Sequence, residues 1–123
     1  MTQVQVLARF VERARFQELS DEAVEQLKIR VLDTLGVAIG ALAAYPVRAI
    51  RKLTAERGGR PLSTLIGGGQ TAPDRAAFFN GALSWYLDFM DSYLAKGETC
   101  HPSDNVGAVL AAAEMRGARG RIF

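Results

Sequence analysis

The feature that most constrains the fold of this 123-residue chain is a long run of helical periodicity in its first third. Apolar residues recur every three or four positions from Val24 to Leu42, and Leu32 and Ile39 widen the stripe until the segment is apolar almost all round. This pattern predicts a helix buried on several sides. Ser20 can cap its free amides, and Tyr45-Pro46 breaks it. We therefore predict a central core helix between these two signals.

Four other segments carry helix signals, and one carries a strand signal. The β-branched, alternating segment Leu62–Ile66 predicts a short extended piece that ends at the turn Gly67–Gly69, and Lys96–Thr99 is predicted as a loop. The predicted fold class is therefore all-α or nearly so: part of a helical bundle of about five helices with one short extended segment. The four further helices are predicted over residues 1–17, from Val47 to Gly58-Gly59, from Thr71-Ala72-Pro73 through Tyr86, and from Pro102-Ser103 to near Gly117.

Glycine and polar residues inside two of these helices predict specific contacts. Gly36 and Gly40 each lower helix propensity by about 1 kcal/mol, which suggests that another backbone passes close to them. Asn80 and Ser84 interrupt an otherwise apolar helix, so we expect both to have hydrogen-bond partners.

Composition and charge argue against several classes of function. The 15 basic and 13 acidic residues are scattered, so no basic stripe favours nucleic acid. The longest apolar stretch, Val37–Tyr45, is about half the length that crosses a bilayer, so no membrane segment is expected. The single cysteine, Cys100, and the absence of a leader-like start predict a cytoplasmic protein. The basic, glycine-rich tail Arg116–Phe123 stops without a terminating element, as if the chain were cut there.

Two acids and a hydroxyl form the first candidate site. Asp88, Asp91 and Ser92 stand at i, i+3 and i+4, so they would share one face if the preceding helix continued. Paired carboxylates beside the aromatic rings of Trp85 and Phe89 can have their proton affinities pushed apart, which suits one to hold a proton and the other to take it. The alternative is a solvated helix end, because acids at this spacing are common on exposed helix faces.

His101, the only histidine, stands directly before the predicted last helix. It could transfer a proton near neutral pH or bind an anionic substrate, and the alternative is a surface loop histidine. A metal site is not favoured, since one histidine beside Cys100 is not a repeated ligand spacing. Cys100 and His101 are also not favoured as nucleophile and base, because neighbours in sequence usually point apart.

Several motifs together resemble the MmgE/PrpD family of 2-methylcitrate dehydratase-like enzymes. The resemblance covers almost the whole chain. It lies in Leu32-Asp33-Thr34-Leu35-Gly36, Asn80-Gly81-Ala82, Leu87-Asp88-Phe89-Met90-Asp91, His101-Pro102-Ser103 and the helix Val106–Glu114.

The resemblance implies an enzyme that works without metal or organic cofactor on small di- or tricarboxylates, by proton transfer beside a carboxylate. Dehydration of 2-methylcitrate, decarboxylation of cis-aconitate and epimerisation of iminodisuccinate are the activities it offers. By position, it implies that Asp88 and His101 are catalytic and that Ser92 binds substrate, with Asp91 as a second candidate for substrate binding.

The sequence departs from the family pattern in three respects. Met90 stands where many members have a further aspartate, and the loop Tyr93–Cys100 is a little longer than in the family pattern. The resemblance therefore does not identify the substrate. Family members also run to several hundred residues, with a smaller α/β domain that closes over the site. We therefore expect residues 1–123 to be an N-terminal fragment of the helical domain, inactive without the missing C-terminal part and homodimeric at full length. A non-catalytic helical interaction module, a truncated relic, is the alternative.

Overall fold

The computed structural model describes residues 1–118, and the end of the predicted basic tail, residues 119–123, lies outside the described residues. Short 3₁₀ turns lie at Phe16–Glu18 and Pro102–Asn105. None of the helices in residues 1–118 combines the length and apolar character needed to cross a membrane. The α-helices are α1 (Gln3–Arg13), α2 (Asp21–Ala41), α3 (Tyr45–Arg57), α4 (Pro73–Tyr86) and α5 (Val106–Met115). The strands are β1 (Ser63–Thr64), β2 (Gln70–Thr71), β3 (Tyr93–Ala95) and β4 (Glu98–Cys100).

The helix ends follow the capping signals of the sequence. The Ser20 hydroxyl accepts a hydrogen bond from the amide of Ala23 at 3.2 Å, which satisfies one of the free donors at the start of α2, as predicted. At the end of α3, Gly58 takes a φ of 60°, a left-handed conformation that suits glycine. The predicted start and stop signals are confirmed at both places.

The core forms around α4 rather than around α2. Phe79 and Leu83 of α4 are fully buried, and α2, α3 and α5 pack around them. The prediction of α2 as the central core helix is wrong for most of its length, since Leu32 is 72% exposed and Ile39 61% exposed. Only the C-terminal half of α2 enters the core, with Ala38 and Ala41 fully covered. Apolar periodicity shows which face of a helix can be buried. It does not show which helix the others pack around.

Buried polar residues of α4 hold the first hairpin. The Asn80 carboxamide oxygen accepts from the amide of Ile66 at 3.0 Å, and its nitrogen donates to the carbonyl of Thr64 at 2.9 Å. The Ser84 hydroxyl donates to the carbonyl of Gly81 at 2.8 Å. The expected partners of both polar residues are therefore present, and the antiparallel pair of β1 and β2 is fastened to the core through Asn80.

The close backbone approach lies elsewhere than predicted. Nothing lies within 4 Å of a Cβ built on Gly36, and one built on Gly40 would meet only the Leu87 side chain, at 3.1 Å. The backbone crossing occurs instead where Gly107 of α5 meets α4 beside Gly81. The prediction for Gly36 and Gly40 is wrong in this respect.

The mostly helical class with five α-helices is confirmed for residues 1–118, but the single extended segment is not. There are two antiparallel hairpins, β1 with β2 and β3 with β4. The predicted loop Lys96–Thr99 is instead the turn and part of the second strand of the second hairpin. Its turn contains Gly97 at a φ of 81°.

Candidate active site

Asp88, the first of the predicted site acids, lies just after the C-terminal end of α4 in an unusual backbone conformation. The helix ends at Tyr86, and Asp88 has a φ of 57°, the one positive value at a non-glycine position among residues 1–118. Its amide donates to the carbonyl of Trp85 at 3.1 Å, which closes the last turn. Asp88 therefore occupies the left-handed position after a helix where glycine is usual. Its side chain is exposed.

Because the helix stops before Asp88, the predicted shared helix face does not exist. Asp91 and Ser92 lie in irregular chain between α4 and β3. Asp88 and Asp91 are still only three residues apart, so their Cα atoms lie within about 11 Å of each other by the reach of an extended chain. The three residues are therefore neighbours in the chain, but they are not arranged on one helix face.

The second hairpin brings the later residues back to this turn. Its register pairs Tyr93 with Cys100, Leu94 with Thr99 and Ala95 with Glu98. Continued by one residue, the same register places Ser92 opposite His101. The hairpin thus returns His101 to the neighbourhood of Ser92 after a detour of eight residues, which was not expected from a loop.

Two hydrogen bonds join Asp91 to the segment that begins α5. Nδ1 of His101 lies 2.7 Å from the carbonyl oxygen of Asp91, and the Asp91 carboxylate accepts from the amide of Ser103 at 3.0 Å. A carbonyl oxygen only accepts, so Nδ1 carries the proton in this bond. In the neutral ring the lone pair then lies on Nε2, to which no residue in the described part of the chain hydrogen-bonds.

The His101 ring packs edge-on against an aromatic side chain. Its centroid lies 5.8 Å from that of Trp85, with the ring planes at 77°, a favourable edge-to-face arrangement. His101 is half-buried, whereas Ser92 is exposed. The ring is therefore held on one side by Trp85 and at Nδ1 by Asp91.

The electrostatic environment keeps Asp91 ionised. Partial burial raises the pKa of the Asp91 carboxyl, but the nearby Ser103 hydroxyl dipole, the hydrogen bond from the Ser103 amide, and the positive charges of Arg30 and of the protonated His101 ring outweigh burial and lower the pKa below its ordinary value. The Ser103 hydroxyl is buried and reaches no partner at normal hydrogen-bond geometry within residues 1–118. Of the two polar groups of Ser103, the amide is therefore the well-formed donor.

The structure thus gathers the four residues singled out in the sequence into one region, with direct hydrogen bonding between Asp91 and His101. No hydrogen bond joins the Asp88 carboxylate to another residue of the described chain. The sequence pointed to Trp85 only as an aromatic neighbour of the two acids, not as a contact of His101, and it gave no role in the site to Ser103 or Arg30. The motif His101-Pro102-Ser103 contained one of the three, but only the fold brings the others to it.

The fold and the site together define a class of protein: a helical domain in which acids and a histidine lie where α4 ends and α5 begins. The model of the MmgE/PrpD N-terminal domain matches residues 5–123, and the chain belongs to this family. The resemblance seen in the sequence motifs is confirmed.

Relatives from bacteria and a yeast are similar over much of the chain. The 2-methylcitrate dehydratase of Cupriavidus necator is 37% identical over 119 residues, which cover 89% of this chain and 23% of that protein. The 2-methylcitrate dehydratase of Salmonella typhimurium is 41% identical over 92 residues, 68% of this chain and 18% of the relative. The mitochondrial 2-methylcitrate dehydratase of Yarrowia lipolytica is 34% identical over 112 residues, 85% and 21% respectively. The chain therefore spans about a fifth of the length of these relatives.

Proposed function

We propose that this chain is the N-terminal domain of a cofactor-independent dehydratase that acts on a small di- or tricarboxylate. The observation that carries the proposal is the hydrogen bond of His101 to Asp91, which leaves the lone pair of Nε2 available in the same region as the exposed Asp88. Family membership and relatives named for the dehydration of 2-methylcitrate support the reaction class.

Dehydration of such a substrate requires a base and an acid close to the substrate carboxylate. A base removes the proton from the carbon next to a carboxylate, and the C–H electron pair forms the double bond. The hydroxyl on the neighbouring carbon leaves with its bonding pair and takes up a proton, which makes water. Asp88 and His101 are the groups we assign to proton transfer, and the Ser92 hydroxyl is assigned to hydrogen-bonding the substrate.

The exposure of the site supports a requirement for further polypeptide. Asp88 and Ser92 are exposed, whereas preorganised charge stabilisation needs a site from which water is excluded. We therefore propose that the C-terminal part of the family polypeptide covers the site and supplies the remaining groups.

The test is a dehydratase assay with and without that C-terminal part. The purified chain is mixed with the corresponding remainder of the Cupriavidus necator relative, and the unsaturated product from 2-methylcitrate or citrate is followed by ultraviolet absorbance. We expect activity in the mixture only, and a loss of about 100-fold or more for His101→Gln and for Asp88→Asn. Asp33→Asn, an exposed charge in α2, is the matched control and should keep the activity. Full activity of both site variants would contradict the proposal.

A second candidate function is that of a non-catalytic helical interaction module. The exposed apolar surface favours it: no residue of α1 is buried, and a groove of about 320 Å³ lies between Phe16 and the apolar residues of α2 from Val24 to Leu35. This candidate predicts binding of the C-terminal polypeptide without any turnover, and binding that is unchanged when Asp88, Ser92 and His101 are all replaced.

A further inference from the structure

Asp91 makes hydrogen bonds both with His101 and with Ser103, two residues further along the chain. Its main-chain carbonyl accepts a hydrogen bond from Nδ1–H of His101, and its carboxylate accepts one from the amide of Ser103. One residue therefore anchors the ring and also the turn that carries the ring. The carboxylate is already engaged in this anchoring, which argues against the expectation that Asp91 binds substrate.

We propose that Asp91 is a positioning residue that holds the imidazole of His101 in the tautomer with the proton on Nδ1 and the lone pair on Nε2. This deepens the proposed function, on which it rests, because Nε2 is then the nitrogen that meets the substrate. Orientation of a histidine through a hydrogen bond at its other ring nitrogen is a common way to fix its tautomer.

The carboxylate contributes through the backbone of the turn. The bond to the Ser103 amide ties Asp91 to the first turn before α5, where a negative charge also interacts favourably with the helix dipole. Without this bond, the hairpin of β3 and β4 would still bring the two segments together, but within the described chain the ring would make the one remaining hydrogen bond between Asp91 and residues 101–103. Trp85 would still limit the tilt of the ring, but its edge contact does not select which nitrogen carries the proton.

The chain offers a direct measurement, because His101 is its only histidine and a single set of imidazole signals results. NMR of the ring nitrogens in the 123-residue chain, at a pH where the ring is neutral, reports which nitrogen carries the proton. We expect the Nδ1–H tautomer in the unaltered chain. Asp91→Asn keeps an acceptor oxygen of the same shape and should keep that tautomer, whereas Asp91→Ala should shift the ring toward the mixture of tautomers of a solvent-exposed histidine side chain.

Three results would overturn the proposal: an Nε2–H ring in the unaltered chain, an Nδ1–H ring that persists in Asp91→Ala, or loss of Nδ1–H in Asp91→Asn while the chain stays folded by circular dichroism. If Asp91→Ala does not fold, the Ser103 amide proton of the unaltered chain replaces it. Its chemical shift should follow the ionisation of the Asp91 carboxyl, and an amide that does not respond would equally overturn the proposal. These readings do not depend on turnover, so they separate a failure of this proposal from a failure of the dehydratase assay.

Discussion

A Cβ atom placed on Gly107 would stand 2.8 Å from the backbone nitrogen of Gly81, so α5 and α4 cross here with no side chain between them. The same atom would lie 3.1 Å from the carbonyl oxygen of Ala77. Both neighbours are backbone atoms of a helix, which cannot move aside as the end of a side chain can. The crossing fixes the start of α5, and therefore Ser103, relative to α4.

We expect Gly107→Ala to destabilise the domain by about 1–3 kcal/mol, because the added methyl group forces the two helices apart. Chemical denaturation of the variant measures the change. Gly36→Ala is the control, since its added Cβ meets nothing within 4 Å and alanine favours a helix interior. That variant should gain up to about 1 kcal/mol. Equal effects of the two substitutions would show that the crossing is not tightly packed.

The backbone conformation of Asp88 predicts that replacing this residue by glycine raises the stability of the domain but removes the proposed activity. A non-glycine residue in the left-handed region costs about 1–2 kcal/mol, somewhat less for aspartate, so Asp88→Gly should stabilise the domain by up to about 1 kcal/mol. The same substitution should abolish the activity of the reconstituted mixture, because the carboxylate is lost. Denaturation and the dehydratase assay on one preparation test both halves. A destabilised Asp88→Gly would mean that the side chain makes a contact that offsets the backbone cost.

The amide of Asn80 should be indispensable for the first hairpin. Asn80→Ala leaves the Ile66 amide and the Thr64 carbonyl without their side-chain partner. Because both bonds are only part-buried, we expect a loss of about 1–3 kcal/mol, below the full cost of two buried unsatisfied groups. Asn105→Ala serves as the control: Asn105 is exposed and makes one hydrogen bond, to the carbonyl of Pro102 at 3.3 Å. Its free energy of unfolding should change by about 0.5 kcal/mol or less. Similar losses at both sites would contradict the role given to Asn80.

Asp91 should make the stability of the domain sensitive to acid. Its pKa is lowered in the folded chain, so its contribution is present above the pKa of the unfolded chain and is lost as the pH falls through the folded value. We expect Asp91→Asn to be less stable than the unaltered chain at neutral pH and the two to converge at low pH. Denaturation across the acid range measures this, with Asp33→Asn as the control for removal of one negative charge. Curves that run parallel at every pH would count against it.

Local signals predicted much of this fold. Ser20 as a cap and Gly58 as a stop act through contacts within one turn, so the sequence alone contains the information. The central position of α4 depends on which apolar faces meet, and no local pattern records that. The second hairpin was missed because Lys96-Gly97 is not one of the strong two-residue turn signals and its strands carry few β-branched residues.

The residues of the candidate site could be named from the sequence, but their arrangement could not. Asp88, Asp91, Ser92 and His101 could be named from the motifs, but helical spacing suggested a shared face that the chain does not form. The left-handed turn at Asp88 and the pairing of β3 with β4 decide the arrangement instead. Neither has a clear sequence signal here: a positive φ is uncommon at a non-glycine residue such as Asp88, and the hairpin lacks a strong turn sequence.

The second hairpin also limits how this segment can change in length. Adding one residue to each of β3 and β4 lengthens the projection and leaves the pairing of Tyr93 with Cys100 at its base unaltered, so the chain would still return His101 beside Ser92. An insertion in one strand alone would shift the partners or require a bulge, and a shift by one residue turns each side chain to the opposite face. Related chains that keep this pairing should therefore change the combined length of the two strands in steps of two residues.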